Sequence, residues 1–168
     1  MHQVYYIQKI QIIIHGYLVF FMNTLSFNTS IGWITLSEDN NLITSIKFEK
    51  KKNKGKNQAL TKLKKQILEF TKGKRKKFSV KLNLEGSILQ KKIWKQLSEI
   101  DYGTTKTYGE IAKELYTSPR YVGNVCGQNN HLLVIPCHRV IRTDGNLGGF
   151  SGIGGLKLKQ KLLKLEQK

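Results

Sequence analysis

Apolar and polar residues alternate along two stretches near the start of the chain, and this pattern predicts two β-strands. They cover residues 31–36 and 42–49 and are separated by a polar turn at 37–41. One face of the second strand carries every other residue, in the order Leu42, Thr44, Ile46 and Phe48. Residues 78–84 alternate in the same way, so a third strand is predicted there.

Between these strands the spacing of apolar residues changes to that of a helix. Leu60, Leu63 and Ile67 recur at helical intervals, which predicts an amphipathic helix over residues 58–70. Together these elements indicate a small α+β unit over residues 22–85. This unit contains no group of residues that is typical of a catalytic site.

The remainder of the chain, residues 86–168, has the pattern of consecutive short helices. Ser87 is placed to cap a first helix whose apolar residues are Leu89, Ile93, Trp94, Leu97 and Ile100. Thr107 and Glu110 have the spacing of a capping box, so a second helix is predicted from near Tyr108. A last helix is predicted over residues 156–166.

A third helix is predicted over residues 119–128, because Ser118 and Pro119 supply an N-cap and a first-turn proline. Only two or three residues join it to the second helix, which is the outline of a helix-turn-helix, although any packed helical pair has the same spacing. Arg120 lies at the start of this third helix, where the helix dipole disfavours a cation unless it faces a polyanion. Gly123 lies within the helix, at a cost of about 1 kcal/mol relative to alanine unless a partner must approach closely.

Charge favours a polyanionic partner. The chain has 29 Lys and Arg residues against 11 Asp and Glu residues, a net charge of +18, so nucleic acid is the first partner to consider. A general compositional bias toward lysine is the alternative explanation. With 39% hydrophobic residues and 24% charged residues, the composition is that of a folded protein.

Residues 1–21 differ from the rest of the chain. Their apolar run is interrupted by His15 and Gly16 and is too short to predict a membrane span, and no Ala-x-Ala cleavage site follows it. We expect translation to begin naturally at Met22, which would make residues 1–21 an extension. A membrane-anchored protein is the alternative.

The stretch 135–140 contains the candidate chemistry, because Cys137 is followed by His138. An imidazole near a thiol can help it to ionise, but neighbouring side chains on a strand point apart, so the pair alone is also typical of structural residues. Two cysteines could form one disulfide at most, which favours a reducing, cytoplasmic setting. Residues 22–85 contain no His and Cys set with zinc-ligand spacing, so we expect no metal, and no cofactor site is predicted.

The motif Pro136-Cys137-His138-Arg139-Val140 resembles the active-site motif of the O6-alkylguanine-DNA alkyltransferases, also called methylated-DNA–protein-cysteine methyltransferases. The resemblance is strong over residues 86–167 and loose over 22–85. Further matching segments follow in the family's order: 93–97, 107–112, 120–123, Asn129, 149–152 and 159–166. The chain departs from the family pattern at Asp101, Asn130 and Phe150, where proline, proline and tyrosine are common.

The resemblance implies an α+β protein with two domains. A small ribonuclease H-like α/β unit, residues 22–85, would precede a winged helix-turn-helix domain, residues 86–168, that binds DNA and holds the active site. The implied activity is direct reversal of DNA damage, with transfer of an alkyl group from O6-alkylguanine, and also O4-alkylthymine, to the protein's own cysteine in a single turnover. The partner would be the minor groove of double-stranded DNA, bound by a cytoplasmic monomer without a membrane or a cofactor.

Residue roles follow from the same resemblance. Cys137 would accept the alkyl group, His138 would act through a water as general base, and Glu166 would orient the imidazole. Tyr108 would donate to guanine N3, and Asn129 would brace the turn that carries the cysteine.

The remaining roles concern the substrate. Ser151 would lie near O6, and the main-chain carbonyls of Cys137 and Val140 would accept from the guanine amino group. Lys159 is a further expected substrate-binding residue. Arg120 would fill the gap left by the flipped base, and it shares the recognition helix with Gly123.

Three other classes of protein share part of this pattern. Alkyltransferase-like proteins bind alkylated DNA without transfer, but they lack the acceptor cysteine that Cys137 provides. A winged-helix regulator with a redox thiol would explain the charge and the helices, but not Asn129, Ser151 and Glu166 in one order. A cysteine hydrolase needs an oxyanion hole, and the sequence has no indication of acyl chemistry.

Overall fold

The computed structural model describes residues 12–14, 17–19 and 22–167. Ile12–Ile14 (β1) pairs antiparallel with Tyr17–Val19 (β2). The expected start at Met22 concerns residues that lie mostly outside the described part, and it stays a prediction. Within the described ranges, no helix is both long enough and apolar enough to cross a bilayer.

Three antiparallel strands form the sheet of the N-terminal unit. Asn23–Thr29 (β3), Gly32–Asp39 (β4) and Leu42–Lys47 (β5) lie in the order β3-β4-β5. Asn40 and Asn41 have φ angles of 53° and 63°, so a two-residue turn with left-handed backbone joins β4 to β5. Asparagine tolerates this conformation better than most residues, and such a turn follows the twist of the strands it connects.

The sheet confirms the two predicted strands and corrects their limits. The predicted turn at 37–41 is too long, because Ser37 to Asp39 continue β4, with a register shift between Ser37 and Glu38. β3 was not predicted at all. Its polar residues outnumber its apolar ones, and Leu25 and Phe27 alone do not make a period-two pattern convincing.

The predicted helix is confirmed as Gln58–Phe70 (α1), with Asn57 as its N-cap. Its buried face packs on the sheet through Leu60, Leu63, Ile67 and Phe70. The strand predicted at 78–84 is wrong. That segment is extended and half-buried on its apolar side, but only Leu82 pairs with the sheet, at Ile43 of β5.

A competing segment explains why no longer ladder forms at 78–84. Further along β5, Ile46 donates a hydrogen bond to the carbonyl of Asn130 at 2.7 Å and accepts one from Leu132 at 3.3 Å. Residues 130–132 belong to the C-terminal half of the chain. The outer edge of β5 is therefore shared between two distant segments.

The C-terminal half consists of short helices and one small parallel strand pair. Its elements are Ile88–Ser98 (α2), Lys106–Thr107 (β6), Tyr108–Glu114 (α3), Pro119–Gly127 (α4), Val140–Ile141 (β7) and Gly155–Glu166 (α5). β6 pairs with β7, and α3 packs on α4. The predicted caps at Ser87, Thr107 and Ser118 are confirmed, each with a side-chain oxygen bonded to a backbone N–H of the first turn.

A single hydrophobic core runs through both halves of this mixed α/β fold. Trp94 of α2 is part of it, and its indole N–H donates to the carbonyl of Val125 in α4 at 3.2 Å. The boundary predicted near residue 85 therefore separates two regions of sequence whose interiors are continuous.

Candidate active site

A cavity of about 910 Å³ opens between α4, the turn that carries Cys137 and the loop 142–151. Five residues that the sequence analysis singled out line it: Tyr108, Arg120, Gly123, Cys137 and Ser151. Cys137 is only 3% exposed, so its thiol lies deep in the cavity. Residues far apart in the sequence thus meet around one thiol.

Asn129 holds the sulfur in place. Its amide nitrogen donates to Cys137 Sγ at 3.3 Å and to the carbonyl of Ile135 at 2.8 Å. Its amide oxygen accepts from the backbone N–H of His131 at 2.8 Å. Because all these bonds are made by one buried side chain, Asn129 fixes the turn around Cys137.

The surroundings of Cys137 keep the resting thiol protonated. Burial raises the pKa of Cys137 above its ordinary value, while the hydrogen bond from Asn129 and the charge of Lys159 act in the opposite direction. A base is therefore needed to generate the nucleophilic thiolate.

A buried carboxylate lies behind His138. The imidazole Nε2 is 2.8 Å from Glu166 Oε1, and both side chains are almost fully buried. Burial alone would raise the pKa of Glu166, but hydrogen bonds from His138 and Arg139, together with the charge of Arg139, bring it to about 2. Glu166 is therefore an ionised acceptor at neutral pH.

The carboxylate determines the tautomer of the imidazole. Because Glu166 only accepts, Nε2 of His138 must bear the hydrogen, which leaves Nδ1 with a lone pair in the neutral ring. Burial lowers the pKa of His138, although Glu166 raises it in part, so the ring is neutral at rest. Nδ1 is buried and has no hydrogen-bond partner among the described residues.

The turn after α2 contributes to the same carboxylate. The backbone N–H of Gly103 donates to Glu166 Oε2 at 3.1 Å. Gly103 has a φ of 79°, and a Cβ there would lie 3.0 Å from the backbone oxygen of Glu166. Glycine is therefore required for this close approach.

Tyr108 forms one side of the cavity. Burial raises its pKa to about 12, with a further contribution from the thiols of Cys126 and Cys137. The phenol is therefore a hydrogen-bond donor at neutral pH. Gly148 packs against its ring, and a Cβ there would lie 2.9 Å from a ring carbon.

The outer side of the cavity is open. Arg120 is exposed at the start of α4, and Ser151 is exposed on the loop opposite. A Cβ at Gly123 would meet only the Tyr108 ring, at 3.9 Å, which is ordinary contact. No neighbour in this structure therefore requires glycine at 123, and the residue leaves that wall of the cavity without a side chain.

Known proteins match this chain over most of its length. Residues 88–168 match the family described as the DNA-binding domain of 6-O-methylguanine DNA methyltransferase. The chain is 37% identical over 150 residues to the methylated-DNA–protein-cysteine methyltransferase of Methanosarcina acetivorans, covering 83% of this chain and 95% of that protein. The chain belongs to the methylated-DNA–protein-cysteine methyltransferase family.

Another family member and two solved structures are also similar. The enzyme of Sulfolobus acidocaldarius is 37% identical over 142 residues, covering 83% of this chain and 90% of that protein. The crystal structure of Mycobacterium tuberculosis O6-methylguanine methyltransferase is 31% identical with a TM-score of 0.77, covering 87% of this chain and 93% of that one. A structure of Mycobacterium tuberculosis OGT in complex with DNA is 32% identical with a TM-score of 0.78, and the match covers 86% of this chain and 92% of that one.

Lys159, which is predicted to bind substrate, lies behind the cavity. Its ammonium is fully buried and donates to the carbonyls of Val140 at 2.6 Å and Gly149 at 3.3 Å, and also to that of Leu147. Lys159 is not among the residues that line the cavity. It ties the loop 147–149 to the strand that follows Cys137.

Both carbonyls expected to receive the guanine amino group already accept one hydrogen bond. The carbonyl of Cys137 accepts a hydrogen bond from the backbone N–H of Val140. The carbonyl of Val140 accepts one from the ammonium of Lys159. A carbonyl oxygen has two lone pairs, so each retains the capacity to accept another donor.

Sequence reasoning missed Arg139 and the second thiol of the cavity. Arg139 binds Glu166 through Nε and Nη2, each at 2.9 Å, and the carbonyl of Ile100 through Nη1 at 2.6 Å. A cation next to His138 in the motif was the available signal. Cys126 also lines the cavity, and burial raises its pKa to about 12, with a further contribution from Cys137.

Across the described ranges, no three His, Cys, Asp or Glu side chains are grouped as metal ligands would be. Both cysteines are free thiols.

Proposed function

We propose that this protein repairs alkylated DNA by moving the alkyl group from O6 of guanine to Cys137, once per molecule. The observation that carries the proposal is the set of buried contacts behind Cys137. Asn129 holds the sulfur, and a neutral imidazole is held by an ionised carboxylate. A second proposed substrate is O4-alkylthymine.

The reaction is a displacement at the alkyl carbon. The thiolate of Cys137 forms a C–S bond as the C–O bond to guanine breaks, and the guanine leaves as an anion that takes up a proton. Tyr108 remains protonated at neutral pH, so it can donate to guanine N3 as negative charge develops there. The product is a thioether, which has no simple route back to a free thiol.

The proton of Cys137 moves to His138 in this proposal. Nδ1 of His138 has a free lone pair and accepts the proton through one water molecule. Glu166 then stabilises the imidazolium, as the third member of a nucleophile–base–orienter set. Arg139 and Gly103 keep Glu166 ionised and in place.

The open side of the cavity is the proposed DNA side. A base in a duplex must leave the stack before its O6 can reach Cys137, and Arg120 would occupy the gap. We propose that α3 and α4 act as a winged helix-turn-helix that enters the minor groove, where little sequence information is read. The N-terminal unit would be ribonuclease H-like, and the protein would act as a cytoplasmic monomer.

The flipped base would be recognised by the inner surface of the cavity. Ser151 would contact O6, and the carbonyls of Cys137 and Val140 would accept from the exocyclic amino group. Gly123 leaves room for the nucleotide beside Tyr108. Lys159 would contribute to substrate binding by holding the carbonyl of Val140 and the loop 147–149 in position.

Mass spectrometry of the protein after incubation with an O6-methylguanine duplex tests the proposal. The peptide that contains Cys137 should gain the mass of one methylene group, and the DNA should contain unmodified guanine. An unmodified duplex is the control. A modified duplex that remains alkylated after incubation with excess protein would contradict the proposal.

A further inference from the structure

The N-terminal sheet extends to the segment that directly follows Asn129. Residues 130–132 run beside β5 in the parallel direction, where Ile46 exchanges two backbone hydrogen bonds with them. This segment begins one residue after Asn129 and ends five residues before Cys137. Any movement of β5 relative to α4 would therefore be transmitted to the turn around the thiol.

His131 adds a side-chain contact to this backbone pairing. Its Nε2 lies 3.0 Å from the carbonyl oxygen of Ile43, and the residue is only 4% exposed. A carbonyl only accepts hydrogen bonds, so Nε2 of His131 must be the donor. The imidazole therefore joins the C-terminal half to a second position of β5, three residues away from the Ile46 pairing.

A short chain of contacts links His131 to the sulfur. The backbone N–H of His131 donates to the amide oxygen of Asn129 at 2.8 Å, and the amide nitrogen of Asn129 donates to Cys137 Sγ at 3.3 Å. The bond from His131 and the bond from the amide nitrogen to the carbonyl of Ile135 together fix which way the amide points. Loss of the first would weaken this preference, and a turned amide would present its oxygen to the sulfur, which would repel a thiolate.

We propose that His131 is a positioning residue for alkyl transfer, through which the N-terminal sheet sets the orientation of Asn129 and so of the Cys137 thiol. The inference rests on the proposed function of Cys137. His131 does not line the cavity and touches no reacting atom. Its side chain is hydrogen-bonded to the carbonyl of Ile43, and this bond orients the backbone N–H of His131 toward the amide oxygen of Asn129.

Two variants whose side chains are similar in length to each other distinguish the effect of losing the hydrogen bond from the effect of changing the shape of the side chain. His131→Gln keeps an N–H donor near the position of Nε2, whereas His131→Met has no donor there. His131→Asn is a third variant, because its amide is too short to reach the carbonyl of Ile43. Each full-length variant is mixed with excess O6-methylguanine duplex and, separately, with free O6-benzylguanine, under single-turnover conditions.

We expect His131→Met and His131→Asn to react about tenfold more slowly than the parent on both substrates, which is the size expected for one lost buried hydrogen bond. His131→Gln should remain within about threefold of the parent, since it restores the donor. The amplitude of each reaction counts the competent molecules. A partly misfolded variant therefore loses amplitude, while its rate constant still reports the positioning of the thiol.

Parent-like rates in His131→Met and His131→Asn, or equal losses in His131→Met and His131→Gln, would overturn the inference. A parent protein that transfers no alkyl group would instead contradict the proposed function. In that case the rate of Cys137 modification by iodoacetamide, measured on its peptide, still compares the variants. Slower modification in His131→Met than in His131→Gln would support the positioning role, and equal rates would reject it.

Discussion

The inner and outer walls of the cavity are built in opposite ways. The inner wall, by which we mean Cys137 together with Asn129, His138 and Glu166, which lie behind it and do not line the cavity, is at most 5% exposed at every residue. Asn129 is hydrogen-bonded to Cys137 and His138 to Glu166, and among their buried side-chain nitrogen and oxygen atoms only His138 Nδ1 lacks a partner among the described residues. The outer wall, Arg120 with loop 142–151, is largely exposed and rich in glycine.

This difference separates chemistry from recognition. The inner wall is organised before any substrate arrives, which is the condition for efficient stabilisation of a developing charge. The outer wall is free to adapt to a duplex. Changes to the inner wall should therefore impair reaction with both duplex DNA and a free alkylated base, whereas loss of the Arg120 side chain from the outer wall should impair the duplex reaction alone.

The largest effect is expected for Cys137→Ser. A hydroxyl is far less nucleophilic than a thiolate at neutral pH, so transfer to both substrates should fall below detection. Binding to alkylated duplex, measured by fluorescence anisotropy, should remain close to that of the parent. Repair at a rate near the parent's would show that another residue accepts the alkyl group.

Glu166→Gln should slow transfer by about 100-fold on both substrates, within the usual contribution of a positioned general base. The neutral amide cannot stabilise the imidazolium of His138 as a carboxylate does. Single-turnover rates measure this effect. Glu99→Gln, at the exposed end of α2, is the matched control and should react like the parent.

The same variant should change the response of the fold to acid. The pKa of Glu166 is about 2 in the folded protein, below its ordinary 4.5, so its ionised form stabilises the fold above about pH 4.5. This stabilisation is lost as the pH falls from 4.5 toward 2. Thermal unfolding across this window should therefore decline less steeply for Glu166→Gln than for the parent, and parallel curves would contradict the assignment.

Arg120→Ala tests the outer wall. Reaction with the alkylated duplex should slow by about tenfold, because a residue that occupies the vacated stack helps only when a base must flip. Reaction with free O6-benzylguanine should be nearly unchanged. Lys92→Ala, which removes an exposed cation from α2, is the control for loss of charge, and equal losses on both substrates for Arg120→Ala would break the distinction between the walls.

The smallest effect is expected for Cys126→Ser. Burial holds the pKa of Cys126 at about 12, so this thiol is not a competing nucleophile although it lines the same cavity. Transfer should stay within about twofold of the parent, with a stability loss of about 1 kcal/mol from the buried hydroxyl. Chemical denaturation and single-turnover rates measure the two quantities. A large loss of transfer would assign Cys126 a part in the chemistry.

The sequence predicted the C-terminal half better than the N-terminal half for physical reasons. Caps such as Thr107 with Glu110 are local, and the helices they start are confirmed within a residue or so. Strand limits depend on partners far along the chain. Segment 78–84 has the alternation of a strand, but residues 130–132 occupy the rest of the β5 edge, and no local pattern reveals that competition.

The candidate site was predictable where the resemblance to the family assigns a role to a residue, and not where a role depends only on a tertiary contact. Cys137, Tyr108 and Ser151 were singled out from the sequence and meet at one cavity. Arg139 was missed, because its role depends on Glu166 arriving from the end of α5. Substrate binding by Lys159 stays a prediction, and no local pattern indicated that its buried ammonium donates to backbone carbonyls.

Titration of the protein with an O6-methylguanine duplex tests the central claim most directly. The amount of guanine restored, plotted against the amount of protein, should reach a stoichiometric end point of about one alkyl group per protein molecule, with no steady-state phase. All of the transferred mass should lie on the peptide that contains Cys137. Repeated turnover by one molecule, or alkylation of a different residue, would contradict the account.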